Sequence, residues 1–142
     1  MTGWTGEVRP ATWRRSPAWP PSSPSRSRSR RTSYPPLLAD PGARLLLAAD
    51  GQEVIGCLLG FRHLTFYANG PVAWVEEVVV RPGDRGGGVG GALMSAFEEW
   101  AAGHGCALVA LATRRAAPFY LAVGYEESAV YFRKVLSGQP RP

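Results

Sequence analysis

VEEVVVRPGDRGGGVGG, residues 75–91, decides how this chain is read. Val75 and Val78–Val80 make a β-branched strand interrupted by two acids. A short turn follows and opens into a glycine cluster. The cluster opens in turn into ALMSAFEEWAAGHG, whose apolar residues recur at helical spacing. The first N–H groups of a helix have no internal partners, and the dipole at that end favours negative charge. Glycines there let a phosphate approach the backbone with no Cβ in the way. The segment is predicted to hold a phosphorylated ligand.

Three phosphate-binding patterns compete for it. The P-loop requires Lys-Ser or Lys-Thr after its last glycine, and none follows here. The dinucleotide fingerprint G-x-G-x-x-G matches as Gly86, Gly88 and Gly91, after a strand and before a helix. It expects an acid about 20 residues on, or an arginine for a 2′-phosphate. Arg114 and Arg115 stand near that place. The third pattern, Arg/Gln-x-x-Gly-x-Gly/Ala, is met by Arg85, Gly88 and Gly90. A glycine pattern alone decides nothing in so glycine-rich a chain. Position is more telling. A dinucleotide fold needs two βαβ halves, with the glycine turn after the first strand of a half. Only about fifty residues follow this loop, room for one helix and two or three strands.

Those residues carry a second motif. Arg85-Gly86-Gly87-Gly88-Val89-Gly90, preceded by Val80-Arg81-Pro82, resembles the acetyl-CoA-binding signature of the GNAT superfamily of N-acetyltransferases. Phe119-Tyr120-Leu121-Ala122-Val123-Gly124-Tyr125 resembles its second signature, an aromatic-Tyr pair followed by Gly-Tyr or Gly-Phe. The two stand in the family's order and separation, and the resemblance covers roughly residues 36–136. It implies an α/β (α+β) fold, a mixed and splayed β-sheet flanked by helices. It also implies acetyl transfer from acetyl-CoA directly to a primary amine.

The resemblance assigns residues as follows. The pyrophosphate of CoA is expected on the N–H groups of Arg85, Gly86, Gly87, Gly88, Val89, Gly90 and Gly91, with Arg85 adding positive charge. Main-chain groups of Val78, Val79 and Val80 are expected to pair with the pantetheine arm like an added strand. Tyr120 matches the tyrosine that protonates the departing sulfur. Glu76 and Glu77 are the candidate bases. Alternation along a strand points them to opposite faces, and partial burial would raise a carboxylate toward the working pH. Register with members that carry an acidic pair before Val-Val-Val favours Glu76. Many members place an asparagine six residues before the tyrosine. Arg114 stands there instead, so the pantetheine contact that the asparagine makes is expected to differ, and Arg114 or Arg115 is expected to meet the 3′-phosphate of CoA or the acceptor. Glu126 and Glu127 could receive a cationic amine, or simply line a solvated turn.

At 142 residues one domain is expected, from 37 to 136, with 137–142 as a tail. No run of ~18 apolar residues suggests a membrane span, and no apolar leader region is visible. Cys57 and Cys106 lie in apolar runs and read as buried reduced thiols, which suits a cytoplasmic protein. No Cys/His spacing suits a metal, so none is expected. His63 and His104 are isolated. Residues 1–35 carry a charge of +6 and residues 36–142 carry −1. The basic excess is thus confined to the N-terminal stretch, and a nucleic-acid partner is not expected. A small-molecule or peptide amine is the expected partner, and a homodimer is compatible with the family.

Residues 1–12 read as a first strand. Residues 13–36, WRRSPAWPPSSPSRSRSRRTSYPP, are too rich in proline, serine and arginine for a helix. At this place the family carries helices that cover the sheet and shape the acceptor side, so that layer is expected to be missing or disordered. The stretch could be an arginine-rich arm for RNA or an acidic partner, a solvated linker, or a passage read out of frame from a GC-rich gene. Two competing functions accompany these readings: a non-catalytic or defective CoA-binding protein, and an NADP-binding Rossmann-type fragment. Further on, strands are expected at 44–49, 53–61, 72–80 and 107–113. Helices are expected from Gly88 or Val89 to Ala102 and over 116–122, with one long or two short strands over 125–135.

Overall fold

The structure, a computed structural model, describes residues 4–11 and 36–138. The proline- and arginine-rich stretch lies almost wholly outside these residues, and with it the missing-layer expectation. The chain divides into two compact units at Leu111/Ala112.

The first unit is a five-stranded sheet in the order β1-β2-β3-β4-β5. Its strands are β1 (Glu7–Pro10), β2 (Ala43–Asp50), β3 (Glu53–Thr65), β4 (Gly70–Val80) and β5 (Val109–Leu111). A helical turn at 36–39, absent from the sequence reading, leads into β2. β1 to β4 pair antiparallel, and β5 joins β4 in parallel. Helix α1 (Val89–Gly103) makes the crossover between β4 and β5. A mixed sheet with a single parallel pair does not fit a dinucleotide-binding half, whose strands all run parallel around the glycine turn.

The hairpin β3–β4 is longer than its apolar pattern suggests. It runs out to Thr65 and Gly70, past the polar pair Arg62-His63. Ladder bonds between main chains need no apolar face, so the paired strands continue beyond the core. Leu64, Phe66 and Tyr67 stand exposed at its tip.

The core lies between the sheet and α1. Val89, Leu93, Met94, Phe97 and Ala101 are buried on the helix, against Leu46, Ile55 and Leu58 among the buried residues of the sheet. Burying one such large side chain stabilises by about 1.5–3 kcal/mol. Two glycines admit the helix. A Cβ on Gly56 would lie 3.1 Å from the Val89 side chain, and one on Gly60 would collide with the Phe97 ring. α1 ends as a Schellman cap. Gly105 takes φ +74°, its N–H donates to Ala102 O at 3.0 Å, and Cys106 N–H donates to Ala101 O at 3.0 Å. Gly105 therefore makes the stop, while Gly103 is the last helical residue. Cys57 is buried as expected. Cys106 is only partly so, because it follows the cap rather than lying in a strand. Desolvation pushes its thiol pKa up, and the nearby Arg62 charge opposes this.

In the second unit, α2 spans Ala117–Ala122. The strands expected over 125–135 are not formed, and residues 126–136 are exposed. Their sequence has strand propensity, but a strand exists only as a member of a ladder, and none is formed here.

Candidate active site

β4 is paired on one side only over its second half. β5 meets it at Ala73, Trp74 and Val75 and stops there. On the other side the β3 register shifts between Leu59 and Gly60: Leu59 faces Glu77, Gly60 faces Val75, and Glu76 faces nothing. Glu76 is thus the extra residue of a β-bulge, a device that bends a strand and re-aims side chains. The simple alternation expected for the two acids is broken. Both are exposed rather than partly buried, and neither has an ion-pair partner among the described residues.

Beyond the bulge the ladder can be followed by parity. Arg81 N–H donates to Ile55 O at 2.8 Å. Bonded pairs alternate along an antiparallel ladder, so Val79 with Cys57 and Glu77 with Leu59 turn their main chains toward each other. The N–H and C=O groups of Val78 and Val80 then point to the open edge. Of the three valines expected to offer main-chain groups, two face outward and Val79 faces β3. The Val80 carbonyl accepts a 3.2 Å bond from Arg85 Nε, which lays that side chain along the same edge.

The strand runs into a 3₁₀ turn at Pro82–Asp84. Arg81 holds it, pairing with Asp84 at 2.6 Å and with Glu53 of the neighbouring hairpin. These bonds, Asp84 first and Glu53 second, raise the arginine's pKa above its already high value. Two carboxylates beside the turn are thereby neutralised, which leaves the loop free of competing negative charge. Arg81 belongs to the glycine motif by sequence, and its spacing of three from Asp84 is the signal for this pairing.

Gly86 and Gly88 then take φ +81° and +94°, and Gly88 caps α1 without a side chain. No acid stands in the first turn of α1. Ala92 N–H is the first to find a helical acceptor, Gly88 O at 3.0 Å. Among the described residues the donors of Val89, Gly90 and Gly91 find no main-chain acceptor, and they are orphans of the kind an anion satisfies. A Cβ built on Gly86, Gly88 or Gly91 would meet nothing within 4 Å. The cradle is open, and glycine keeps it so.

The first unit therefore brings together the β4 edge, the bulge with its two acids, Arg85 and the glycine fan. A profile of the Acetyltransferase (GNAT) family matches residues 8–125, which takes in every one of these features. The chain belongs to the GNAT family. An aminoglycoside N(6')-acetyltransferase type 1 of Stenotrophomonas maltophilia is 37% identical over 102 residues, covering 65% of this chain and 65% of that protein. The match thus spans just under two thirds of that relative's own length. An aminoalkylphosphonate N-acetyltransferase of Salmonella typhimurium is 33% identical over 112 residues, covering 75% and 71%. Both are N-acetyltransferases. In fold, the chain is similar to the aminoglycoside antibiotic 6'-N-acetyltransferase AAC(6')-IG of Acinetobacter haemolyticus, with a TM-score of 0.69 and 24% identity over 92% of this chain and 99% of that one. The mixed sheet, open beside β4 after the bulge, is the splayed GNAT sheet.

The second GNAT motif is built within the second unit. Gly124 takes φ +98°, and Gly124 N–H donates to Leu121 O at 3.2 Å. Tyr125 N–H donates to Tyr120 O at 2.9 Å. This is again a Schellman cap, and the rings of Tyr120 and Tyr125 meet edge-on at 5.9 Å, the contact that accompanies it. The Phe119 ring also meets Tyr120 edge-on, at 5.0 Å. The spacing Tyr-x-x-x-Gly-Tyr thus has a local cause: it fixes the tyrosine by its own helix end. Partial burial pushes the Tyr120 hydroxyl pKa up by desolvation. Arg114 is exposed in the bend before α2, and Ala116 N–H donates to Thr113 Oγ1 there at 3.1 Å.

Proposed function

We propose that this chain transfers an acetyl group from acetyl-CoA to a primary amine of a small molecule or peptide. One observation carries the reading: a glycine-walled helix N-terminus without a side-chain cap follows a strand edge left open where β5 stops. The glycine fan and Arg85 suit a pyrophosphate. The outward groups of Val78 and Val80 suit an amide-bearing arm laid alongside, as in strand addition. Arg114, which departs from the family's asparagine, is assigned to the cofactor on its position in the sequence alone. Acetyl-CoA supplies the activated thioester.

In the proposed step the amine nitrogen bonds to the acetyl carbon and the carbon–sulfur bond breaks. Glu76, directly or through water, takes the proton lost by the amine, and Tyr120 gives its own to the sulfur. Two exposed carboxylates also favour a cationic amine before it is deprotonated. The relatives' names point to aminoglycosides and aminoalkylphosphonates, both amine-bearing small molecules, and we propose that class first.

Acetyl-CoA at about 100 times its dissociation constant should stabilise the protein by about 2.7 kcal/mol, which moves the melting temperature by several degrees. NADPH at the same concentration should not. A melt indifferent to acetyl-CoA would remove the proposal. The bases can be separated by substitution. Glu76→Gln should lower kcat at least about tenfold, below the usual general-base range of about 10²–10⁴ because water reaches the site. Glu77→Gln should change it less, and steady-state rates for the pair decide which carboxylate is the base.

A further inference from the structure

We propose that Trp4, ahead of the first strand, positions the glycine loop for its anion. The inference rests on the acetyl-CoA reading. Trp4 N–H donates to Gly87 O at 2.9 Å. Among the described residues no other main-chain bond ties residues 85–88 to a different strand. The Trp4 Cβ lies 4.0 Å from where a Cβ of Gly87 would be, and its indole occupies the space a side chain at Gly6 would need. Gly6 has no such side chain, and a Cβ there would also strike the Ala49 carbonyl. The indole Nε1 is buried without a partner among the described residues, so the ring is held by packing and not by its own donor.

The consequence follows from the planar trans peptide. In the bond between Gly87 and Gly88 the C=O and N–H point in opposite directions. Trp4 draws the Gly87 carbonyl toward the end of the sheet, so the Gly88 N–H is turned away from it, outward. Three consecutive glycines would otherwise sample many peptide orientations, and ordering them on binding would cost affinity. Trp4 supplies that order in advance. It touches the loop, not the reacting atoms, and is a positioning residue.

Substitution separates its two contributions. Trp4→Pro removes the N–H and the indole, Trp4→Ala removes the indole alone, and Trp4→Phe keeps both the N–H and an aromatic ring. Dissociation constants would be measured for CoA and for pantetheine, which lacks the pyrophosphate. Trp4→Pro should weaken CoA about fivefold, the worth of one hydrogen bond, and leave pantetheine unchanged. Trp4→Ala should lie between it and wild type, and Trp4→Phe should match wild type. Equal weakening of both ligands, or of neither, would overturn the proposal. Amide exchange in the ligand-free protein gives a second reading. Residues 86–90 should exchange faster in Trp4→Pro than in wild type, and unchanged exchange would also overturn it. If wild type binds no CoA at all, the cofactor reading falls, while amide exchange still decides whether Trp4 orders the loop.

Discussion

Tyr120→Phe should lower kcat by about 10²-fold, the lower range for a lost general acid, with the dissociation constant of CoA nearly unchanged. The ring is held by Phe119, Tyr125 and the Gly124 cap, none of which uses the hydroxyl. Phenylalanine should therefore keep the packing and remove only the proton. The pH dependence gives an independent check. Desolvation raises the folded-state pKa of Tyr120 above its ordinary value of 10.0. The wild-type enzyme should keep its acid through neutral and mildly alkaline pH, and any loss of rate from tyrosine ionisation should fall at higher pH than for an ordinary tyrosine. The sign for stability is fixed by the same shift. A raised pKa means that the folded state favours the protonated form. The corresponding stability is complete below the unfolded value and is lost as pH rises through the folded one. Denaturant unfolding across the alkaline range should show that loss in wild type, and less of it in Tyr120→Phe. A variant with wild-type kcat would take the acid role from Tyr120.

Gly88→Val should abolish measurable CoA binding, a weakening of at least about 10²-fold. Two costs add. A β-branched residue at φ +94° is strained by about 1–3 kcal/mol, and the loop would shift to relieve it. Its side chain would also enter the space in which the helix donors are exposed. Gly51→Val is the matched control. Gly51 has φ +63°, equally open surroundings, and a place in the β2–β3 hairpin turn. It should lose stability to a similar degree while still binding CoA. Calorimetric titration of the two variants, with melting curves alongside, separates strain from site. Equal loss of binding in both would mean that the glycine loop has no special part in holding the ligand.

Most of the first unit is legible in the chain. Valine-rich β4, the glycine cluster and the 3.6-residue stripe from Val89 to Trp100 are local signals, and the strand–loop–helix they imply is present. The Acetyltransferase (GNAT) match then accords with the two motifs. What the chain hides is set by partners distant in sequence. The bulge at Glu76 exists only because β3 pairs in a shifted register, and no property of Glu76-Glu77 announces which acid is the extra one. Outward and inward valines could not be told apart before Arg81 was seen bonded to Ile55. The contact of Trp4 with Gly87 joins residues more than eighty positions apart. Residues 125–135 fail in the opposite direction: their composition suits strands, yet strand propensity does not supply a neighbour. Tyr120 was assigned by motif, and its partly buried setting beside two rings follows from a cap that only the Gly124 conformation reveals.

Gly56 and Gly60 lie on the sheet beneath α1. Val89, the first residue of α1, touches the place where a Gly56 side chain would be, and Phe97 does the same at Gly60. Both glycines therefore set the height at which α1 rides over the sheet. The donor fan belongs to the helix and the open edge belongs to β4, and under the proposed function one flexible molecule would satisfy both. A methyl group at either position would act as a shim, changing the step between the two surfaces without entering the site. If the proposed function holds, positions 56 and 60 are where affinity for the acyl donor would be detuned at a distance, by altering how the scaffold is levelled and not what it presents.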